Sequence, residues 1–174
     1  MPRFARFAIA VALVLVAAGC AAGVAEAQER AVDPPKGARL MLEAFADGVQ
    51  IYACEAKDQG FAWVFKSPEA MLFNRDGRQI GMHFAGPTWK TTDGAAVVGE
   101  VTAHADAPSK DAIPWLLLRA KSHEGGGPLA DVAIIRRVKT KGGVAPRTPC
   151  DASRLAEQAR MRYSSTYQFF TAPN

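Results

Sequence analysis

The sequence has few residues of the kinds that bind metals or attack substrates. Only three cysteines and three histidines occur among its 174 residues, and no two cysteines stand at the C-x-x-C spacing of a zinc site. The sequence also lacks the glycine-rich turn of dinucleotide-binding proteins, the Walker loop and the G-x-S-x-G motif of serine hydrolases. These absences argue against zinc centres, nucleotide chemistry and that class of hydrolase. We predict no catalytic residue, no metal and no cofactor.

A large excess of charge of one sign is also missing. Lysine and arginine total 21, aspartate and glutamate total 17, and no block of like charges occurs. Such a small net charge bears on solubility more than on the choice of a partner. Because no motif of a nucleic-acid-binding domain is present either, we predict that the protein does not bind nucleic acid.

The N-terminus carries the pattern of an export signal, which we assign to residues 1–27. MPRFARF contains two arginines and precedes FAIAVALVLVAA, an apolar run too short to span a bilayer. Two processing routes are open. The Ala-Glu-Ala sequence at residues 25–27 is a site for ordinary signal peptidase, whereas AAGC resembles a lipoprotein box that would leave Cys20 acylated. We predict an exported protein, periplasmic or extracellular, whose membrane contact is limited to a lipid anchor at Cys20 if the second route is used.

Cys54 and Cys150 remain in the mature chain by either route. In an oxidising compartment, two remaining cysteines predict one disulfide. Closing such a long loop would contribute about 4–5 kcal/mol on the chain-entropy model. The alternative, two buried thiols in a reduced protein, is disfavoured by the export signal.

Short segments and tight turns dominate the rest of the chain. Residues 28–40 are polar and predict a linker or first loop. Beyond them, Asp-Gly dipeptides mark hairpin turns, and no long stripe with a 3.6-residue period occurs. Helix is therefore limited to one turn at residues 67–69 and a short helix within residues 151–159. We predict that residues 41–174 form a single all-β domain, an antiparallel β-sandwich or barrel with at most one or two short helices.

Alternating apolar and polar residues predict which side of each strand is buried. Two further segments, FAWVF at residues 61–65 and IPWLLL at residues 113–118, are apolar throughout and are predicted to be covered on both faces. The alternating residues predicted to face the core are Val49, Ile51, Ala53, Ile80, Met82, Phe84, Val97, Val101, Ala103, Met161, Tyr163, Tyr167 and Phe169.

The stretch HFAGPTW, residues 83–89, combines a histidine, two aromatics and a Gly-Pro step. The alternation places His83 opposite the apolar face, toward solvent or the mouth of a cavity. Gly86-Pro87 ends the strand, because proline has no N–H for a ladder. One interpretation is structural: a corner where the strand changes sheets and Trp89 caps the core. The other is functional: His83 and Trp89 line a pocket at that corner. Both can hold together.

A cation-rich hairpin follows near the end of the sequence. Arg119 and Arg137 belong to a set of cations that share one strand parity but spread along the ribbon, which predicts an ordinary solvated face. Arg136 has the opposite parity and is predicted to point to the core side, where an arginine needs a partner or a cavity. The hypothetical ligand-binding residues are therefore His83, Trp89 and Arg136.

Several motifs in one order resemble a known family. They are GVQIYAC (48–54), GMHFAGPTW (81–89), VVGEV (97–101), AIPWLLLRAKS (112–122) and VKTKGGVAP (138–146) followed by a cysteine. The set resembles the secreted bacterial and fungal proteins of the DUF3455 family. That resemblance implies a single exported β-rich domain and brings no activity, cofactor or catalytic residue with it. Arg136 stands where the family pattern leads us to expect glutamine.

Three classes of function follow as hypotheses. The leading one is a non-enzymatic extracytoplasmic domain that binds a small molecule or a glycan or lipid of the cell envelope. The first alternative is a secreted enzyme, metal-assisted, that uses His83 with His104 or a carboxylate. The second is a structural or interaction protein of the envelope.

Overall fold

The computed structural model describes residues 30–173, which form one closed barrel of eight antiparallel strands. Each strand pairs with the next in sequence and β1 pairs with β8, so the prediction of an all-β domain is confirmed, with a barrel in place of a sandwich. No helix of the described residues is long and apolar enough to cross a membrane. The strands are β1 (Leu40–Lys57), β2 (Gly60–Phe73), β3 (Gln79–Phe84), β4 (Thr88–Thr91), β5 (Ala96–Ala105), β6 (Trp115–Glu124), β7 (Ile134–Gly142) and β8 (Gln158–Phe170).

Within residues 32–173, helical structure is confined to single turns. A 3-10 turn at Gly127–Leu129 lies between β6 and β7, and another at Ala152–Arg154 precedes β8. The second lies within the segment predicted as a helix, and the Asp151 carboxylate caps it by accepting from Ser153 N. The helical turn predicted at residues 67–69 is wrong, because these residues belong to β2.

Cross-strand pairing divides the strand residues between an inner and an outer face, since directly paired residues point to the same side of a sheet. An eight-stranded barrel is just wide enough to be filled by side chains or to hold one small ligand. The buried apolar residues of the interior are Ala44, Ala46, Ala70, Leu72, Trp89, Ala95, Val97, Ile113, Leu118, Leu129, Val132, Ile135, Tyr163, Tyr167 and Phe169.

The predicted faces are confirmed on β8 and wrong on β1 and β3. Tyr163, Tyr167 and Phe169 of β8 are buried inside the barrel, as predicted. On β3 the buried residues are Gly81 and His83, whereas Met82 is 44% exposed; of the predicted core residues of this strand, Ile80 alone packs against the core cluster. On β1 the prediction of the inward face is reversed, because Gln50, Tyr52 and Cys54 point inward; Ile51 is nevertheless buried, at 7% exposure, on the outer face. Polar and small residues of these two strands fill the narrow interior, and apolar residues remain outside.

The barrel wall is incomplete below the β3–β4 hairpin. β2 pairs with β3 only through residues 70–73, and β5 pairs with β4 only through residues 96–98. Among the described residues, 60–69 of β2 and 100–105 of β5 therefore have no ladder partner on the sides that face each other. We call this gap the side opening. It explains why FAWVF is not covered on both faces as predicted: Phe61 is 40% and Phe65 is 48% exposed.

The segment that precedes β1 packs against the outer wall. Val32 is fully buried in a second apolar cluster with Trp115 and Val138. Leu116 and Leu118 of the same strand as Trp115 pack on the interior side, so the prediction that the IPWLLL strand is covered on both faces is confirmed. The segment of residues 30–39, which was predicted as a linker or loop, therefore packs against the barrel.

A disulfide joins Cys54 to Cys150, with the two Cα atoms 5.5 Å apart, so the predicted bridge is confirmed. It connects β1 to the long connection between β7 and β8. Two backbone hydrogen bonds reinforce that junction, from Cys54 N to Glu157 O and from Ala156 N to Cys54 O, each 2.9 Å long. The predicted export signal and the lipidation site at Cys20 lie outside the described residues.

Candidate functional site

His83 and Trp89 face each other across the β3–β4 hairpin. They are paired directly in the ladder, and their rings stack with centroids 4.5 Å apart and planes 13° from parallel. Gly86 adopts a φ of +130° in the turn, a conformation that favours glycine. The Gly-Pro step thus ends the strand as predicted, but it makes a hairpin within one barrel and not a passage between two sheets.

The side chain of His83 is buried, with the residue only 3% exposed, so the prediction that it faces solvent or a cavity mouth is wrong. Its Nδ1 lies 2.9 Å from Thr88 O, and since that carbonyl can only accept, Nδ1 carries the hydrogen. Burial lowers the pKa of His83 to about 3, with the Thr88 hydrogen bond acting in the opposite direction and the charge of Arg137 adding to the decrease. The ring is therefore neutral at pH 7.

Aromatic rings surround this pair inside the barrel. Tyr167 lies 4.9 Å from His83 and 5.2 Å from Trp89, measured between ring centroids. Phe169 contacts Trp89 edge-on at 5.9 Å. The edge-to-face geometry is favourable for aromatic pairs. The hairpin is thereby fixed to β8 on the opposite wall, which gives the strand β3 a rigid position.

Arg136 is not part of this cluster. It pairs with Gln168 on the outer face of the barrel, beneath residues 30–39, and its Nη2 donates to the carboxylate of Asp33 at 2.8 Å. The prediction that Arg136 points to the core side is wrong, because Ile135 and not Arg136 faces the interior. The partner that a buried arginine needs is supplied by the segment before β1. The structure thus unites two of the three predicted site residues and separates the third.

The remaining histidines do not converge with His83 on a metal site. His123 Nε2 lies 2.7 Å from Val132 O, and His104 is exposed on β5. Within residues 30–173 no group of three or more histidine, cysteine, aspartate or glutamate side chains is placed to hold a metal ion.

A groove of about 430 Å³ crosses the outer face of β1, β2 and β3. We call it the outer groove. Three of its apolar lining residues, Val49, Met82 and Phe84, were predicted to be buried, which is why sequence reasoning missed it. Met71 and Met82, paired directly, remain 45% and 44% exposed in it. The residues that line the outer groove are Asp47, Gly48, Val49, Glu69, Ala70, Met71, Met82, His83, Phe84 and Arg160.

The interior contains a second set of polar groups that the sequence did not reveal. Arg137, predicted to lie on a solvated face, pairs directly with Leu116 and Tyr167, and both are packed on the interior side. Arg137 therefore points inward. The prediction that these cations share one face is therefore wrong: Arg119 pairs with Ile134 on the outer face, and the shift in β7 between Val138 and Lys141 also separates Arg137 from the cations that follow.

The comparisons with known proteins give one match. Residues 34–171 match the family model described as "Protein of unknown function (DUF3455)". No curated protein and no solved structure matches the chain.

Proposed function

The chain belongs to the DUF3455 family, and from this premise we propose that it is a non-enzymatic, extracytoplasmic domain that binds an apolar molecule in the outer groove. The observation that carries the proposal is the apolar character of that groove. Its volume of about 430 Å³ lies within the range of small-molecule sites. Its walls are flexible methionines, which adapt to ligands of different shapes.

The arrangement of polar groups favours a lipid or another apolar ligand over a glycan. The charged side chains that line the outer groove are more than half exposed, and two of them, Glu69 and Arg160, already pair with each other. A glycan would bury hydroxyl groups against Val49, Met71 and Met82 without hydrogen-bond partners, which is costly. An acyl chain in the same place loses no hydrogen bonds, and its transfer out of water is favourable.

The predicted site residues support this groove from behind. His83 belongs to its lining, while its ring points inward and stacks on Trp89. Met82 and Phe84, its neighbours on β3, point outward. The His83–Trp89 stack thus holds in place the strand that presents one wall of the outer groove, and the two residues act as positioning residues in this proposal.

The extracytoplasmic location is supported by two features. The Cys54–Cys150 disulfide is of the kind that persists in oxidising compartments. The signal-like pattern of residues 1–27 gives a route to such a compartment. The disulfide is consistent with export. The mature protein is either free or anchored by a lipid at Cys20, and the intact mass of the mature protein distinguishes the two.

The groove is tested with the double variant Met71→Glu, Met82→Glu and the neutral apolar dye N-phenyl-1-naphthylamine. We expect the wild-type protein to enhance the fluorescence of the dye with saturation, and the double variant to bind it at least about tenfold more weakly. Two carboxylates in an apolar site each cost more than the 1.4 kcal/mol that a factor of ten requires.

The matched control is Leu155→Glu, which changes an apolar residue that is 56% exposed and does not line the outer groove. It should bind the dye as the wild type does. Equal loss in both variants would mean that the dye senses general surface hydrophobicity. Saturable binding unaffected by the double variant would assign the dye to another site and overturn the proposal.

A further inference from the structure

The barrel interior contains buried polar atoms that lack a hydrogen bond of normal geometry to the described residues, although Gln50 and Tyr167 lie close enough to Tyr163 to affect its pKa. Five of these lie on strand residues of the inner face: Gln50 Nε2, Trp89 Nε1, Tyr163 Oη, Ser165 Oγ and Tyr167 Oη. Each of these residues is no more than 5% exposed. Buried polar side chains without a partner are uncommon in folded proteins, and each calls for an explanation.

The chemistry of these atoms specifies the partner that is missing. An amide nitrogen and an indole nitrogen are donors only, and the hydroxyl groups of tyrosine and serine can also donate. The group that would satisfy all five is therefore an acceptor. Burial raises the pKa of Tyr163, and Tyr167 adds to the increase, whereas Arg137 and the Gln50 amide act in the opposite direction. Tyr163 therefore keeps its proton and remains a donor at neutral pH.

The charge of the inner face also favours a negatively charged acceptor. Outside the bulges, the laddered inner-face residues of the described chain include no aspartate and no glutamate, and Arg137 is the one lysine or arginine among them. The charge of Arg137 reaches the polar cluster: it acts to lower the pKa of both Tyr52 and Tyr163 against the effect of burial. No described carboxylate forms an ion pair with it.

The guanidinium of Arg137 keeps donors available. Its Nε and Nη2 both donate to Pro114 O, at 3.1 and 2.8 Å. These two bonds fix the plane of the group and leave about three of the five N–H donors of an arginine unused. The remaining Nη1 and Nη2 hydrogens form the end-on fork that binds a carboxylate with two parallel hydrogen bonds.

Apolar side chains line the side opening, which leads to the buried donors and Arg137. Phe65 pairs with Tyr52 and Val101 with Leu118, so all four belong to the inner face. Phe65 and Val101 nevertheless remain 48% and 49% exposed, because β3 and β4 do not extend over them. These two large apolar side chains of the inner face are thus exposed to solvent where the wall is missing.

We propose that the barrel interior binds a monocarboxylate with an apolar body. The carboxylate accepts from Arg137 and the buried donors near Tyr163, and the apolar body lies in the side opening against Phe65 and Val101. A carboxylate fits better than a phosphate monoester, because one guanidinium balances one negative charge and the monoester carries more than one at pH 7. This site is separate from the outer groove and does not depend on it.

Calorimetric titration at pH 7 with three probes of equal chain length tests the proposal: decanoate, decanol and decyltrimethylammonium. We expect decanoate to bind at least about tenfold more tightly than decanol, and the cation no more tightly than decanol, since hydrogen bonds to charged groups contribute roughly 1.5–3 kcal/mol. Arg137→Met should remove the preference for decanoate and leave decanol unchanged. Arg137→Lys should keep part of the preference, because the charge remains.

Two controls separate a binding role from a structural one. Arg162→Met makes the same substitution on an outward side chain that is 86% exposed, and it should bind all three probes as the wild type does. Tyr163→Phe should weaken decanoate alone. Equal affinity for decanoate and decanol in the wild type would overturn the proposal. Binding of none of the probes would overturn it as well, with the buried donors then satisfied by water only, and neither result affects dye binding in the outer groove.

Discussion

At the scale of single residues, His83 is the clearest case of a side chain adapted to a buried place. The ring donates to Thr88 O at 2.9 Å and stacks on Trp89. Both contacts are available to the neutral form of the ring. Adding a proton would create a second cation on an inner face where the charge of Arg137 already acts on His83. The buried ring therefore resists protonation, whereas the same residue in the unfolded chain accepts a proton below pH 6.5.

This difference predicts a pH dependence of stability. The pKa of His83 is lowered to about 3 in the folded protein, so between pH 6.5 and 3 the unfolded chain binds a proton that the folded one does not. Stability is full above pH 7 and falls as the pH decreases through this window. From pH 7 to pH 5 we expect His83 alone to reduce the free energy of unfolding by about 2 kcal/mol.

Urea unfolding of wild type and His83→Asn at both pH values measures this contribution. The asparagine amide retains a donor near Thr88 O but does not titrate. The wild type should lose about 2 kcal/mol more than the variant between pH 7 and pH 5. Other titrating groups are common to both proteins and cancel in the difference. Equal losses in the two proteins would show that His83 is protonated in the folded state.

At the scale of elements, the buried face of a strand could be predicted only where its two faces differ clearly in the size and polarity of their side chains. On β8 the tyrosines at 163 and 167 were predicted to be buried and are buried, although the smaller polar residues Ser165 and Thr166 between them are buried as well. On β3 the contrast was misleading, because His83 buries its polar edge through a backbone hydrogen bond. Met82 stays outside because the outer groove leaves apolar side chains exposed there. The alternation of apolar and polar residues along a strand indicates neither the outer groove nor the hydrogen bond of His83. The candidate site could therefore be predicted only in part.

The segment before β1 gives a prediction at the same scale. Val32 is fully buried against the outer wall, and Asp33 beside it pairs with Arg136. Val32→Ala removes two methyl groups from this cluster and should lower the free energy of unfolding by about 2 kcal/mol. The matched control is Val101→Ala, on a valine that is 49% exposed. It should change stability by about 0.5 kcal/mol or less. If both variants behave alike in urea unfolding, the segment is not docked in solution.

At the scale of the whole molecule, composition and turn spacing predicted an all-β domain but left sandwich and barrel open. The distinction depends on whether the first and last strands pair, and β1 and β8 are more than a hundred residues apart along most of their ladder. No local pattern encodes such a contact. The disulfide could be predicted, by contrast, because counting cysteines in an exported chain requires no knowledge of which strands are neighbours.

The Cys54–Cys150 bridge connects parts of the barrel that are 96 residues apart in sequence, and its effect lies mainly in the unfolded chain. On the chain-entropy model, closing so long a loop stabilises the folded state by about 4–5 kcal/mol. Cys54→Ala with Cys150→Ala should lower the free energy of unfolding by about 4 kcal/mol. It should also raise the urea dependence of that free energy, because an unbridged chain exposes more surface when it unfolds. Wild-type protein unfolded in the presence of a reductant should match the double variant, and the reductant should leave the variant unchanged. A variant as stable as the oxidised wild type would mean that the barrel ladder alone holds the β7–β8 connection against β1.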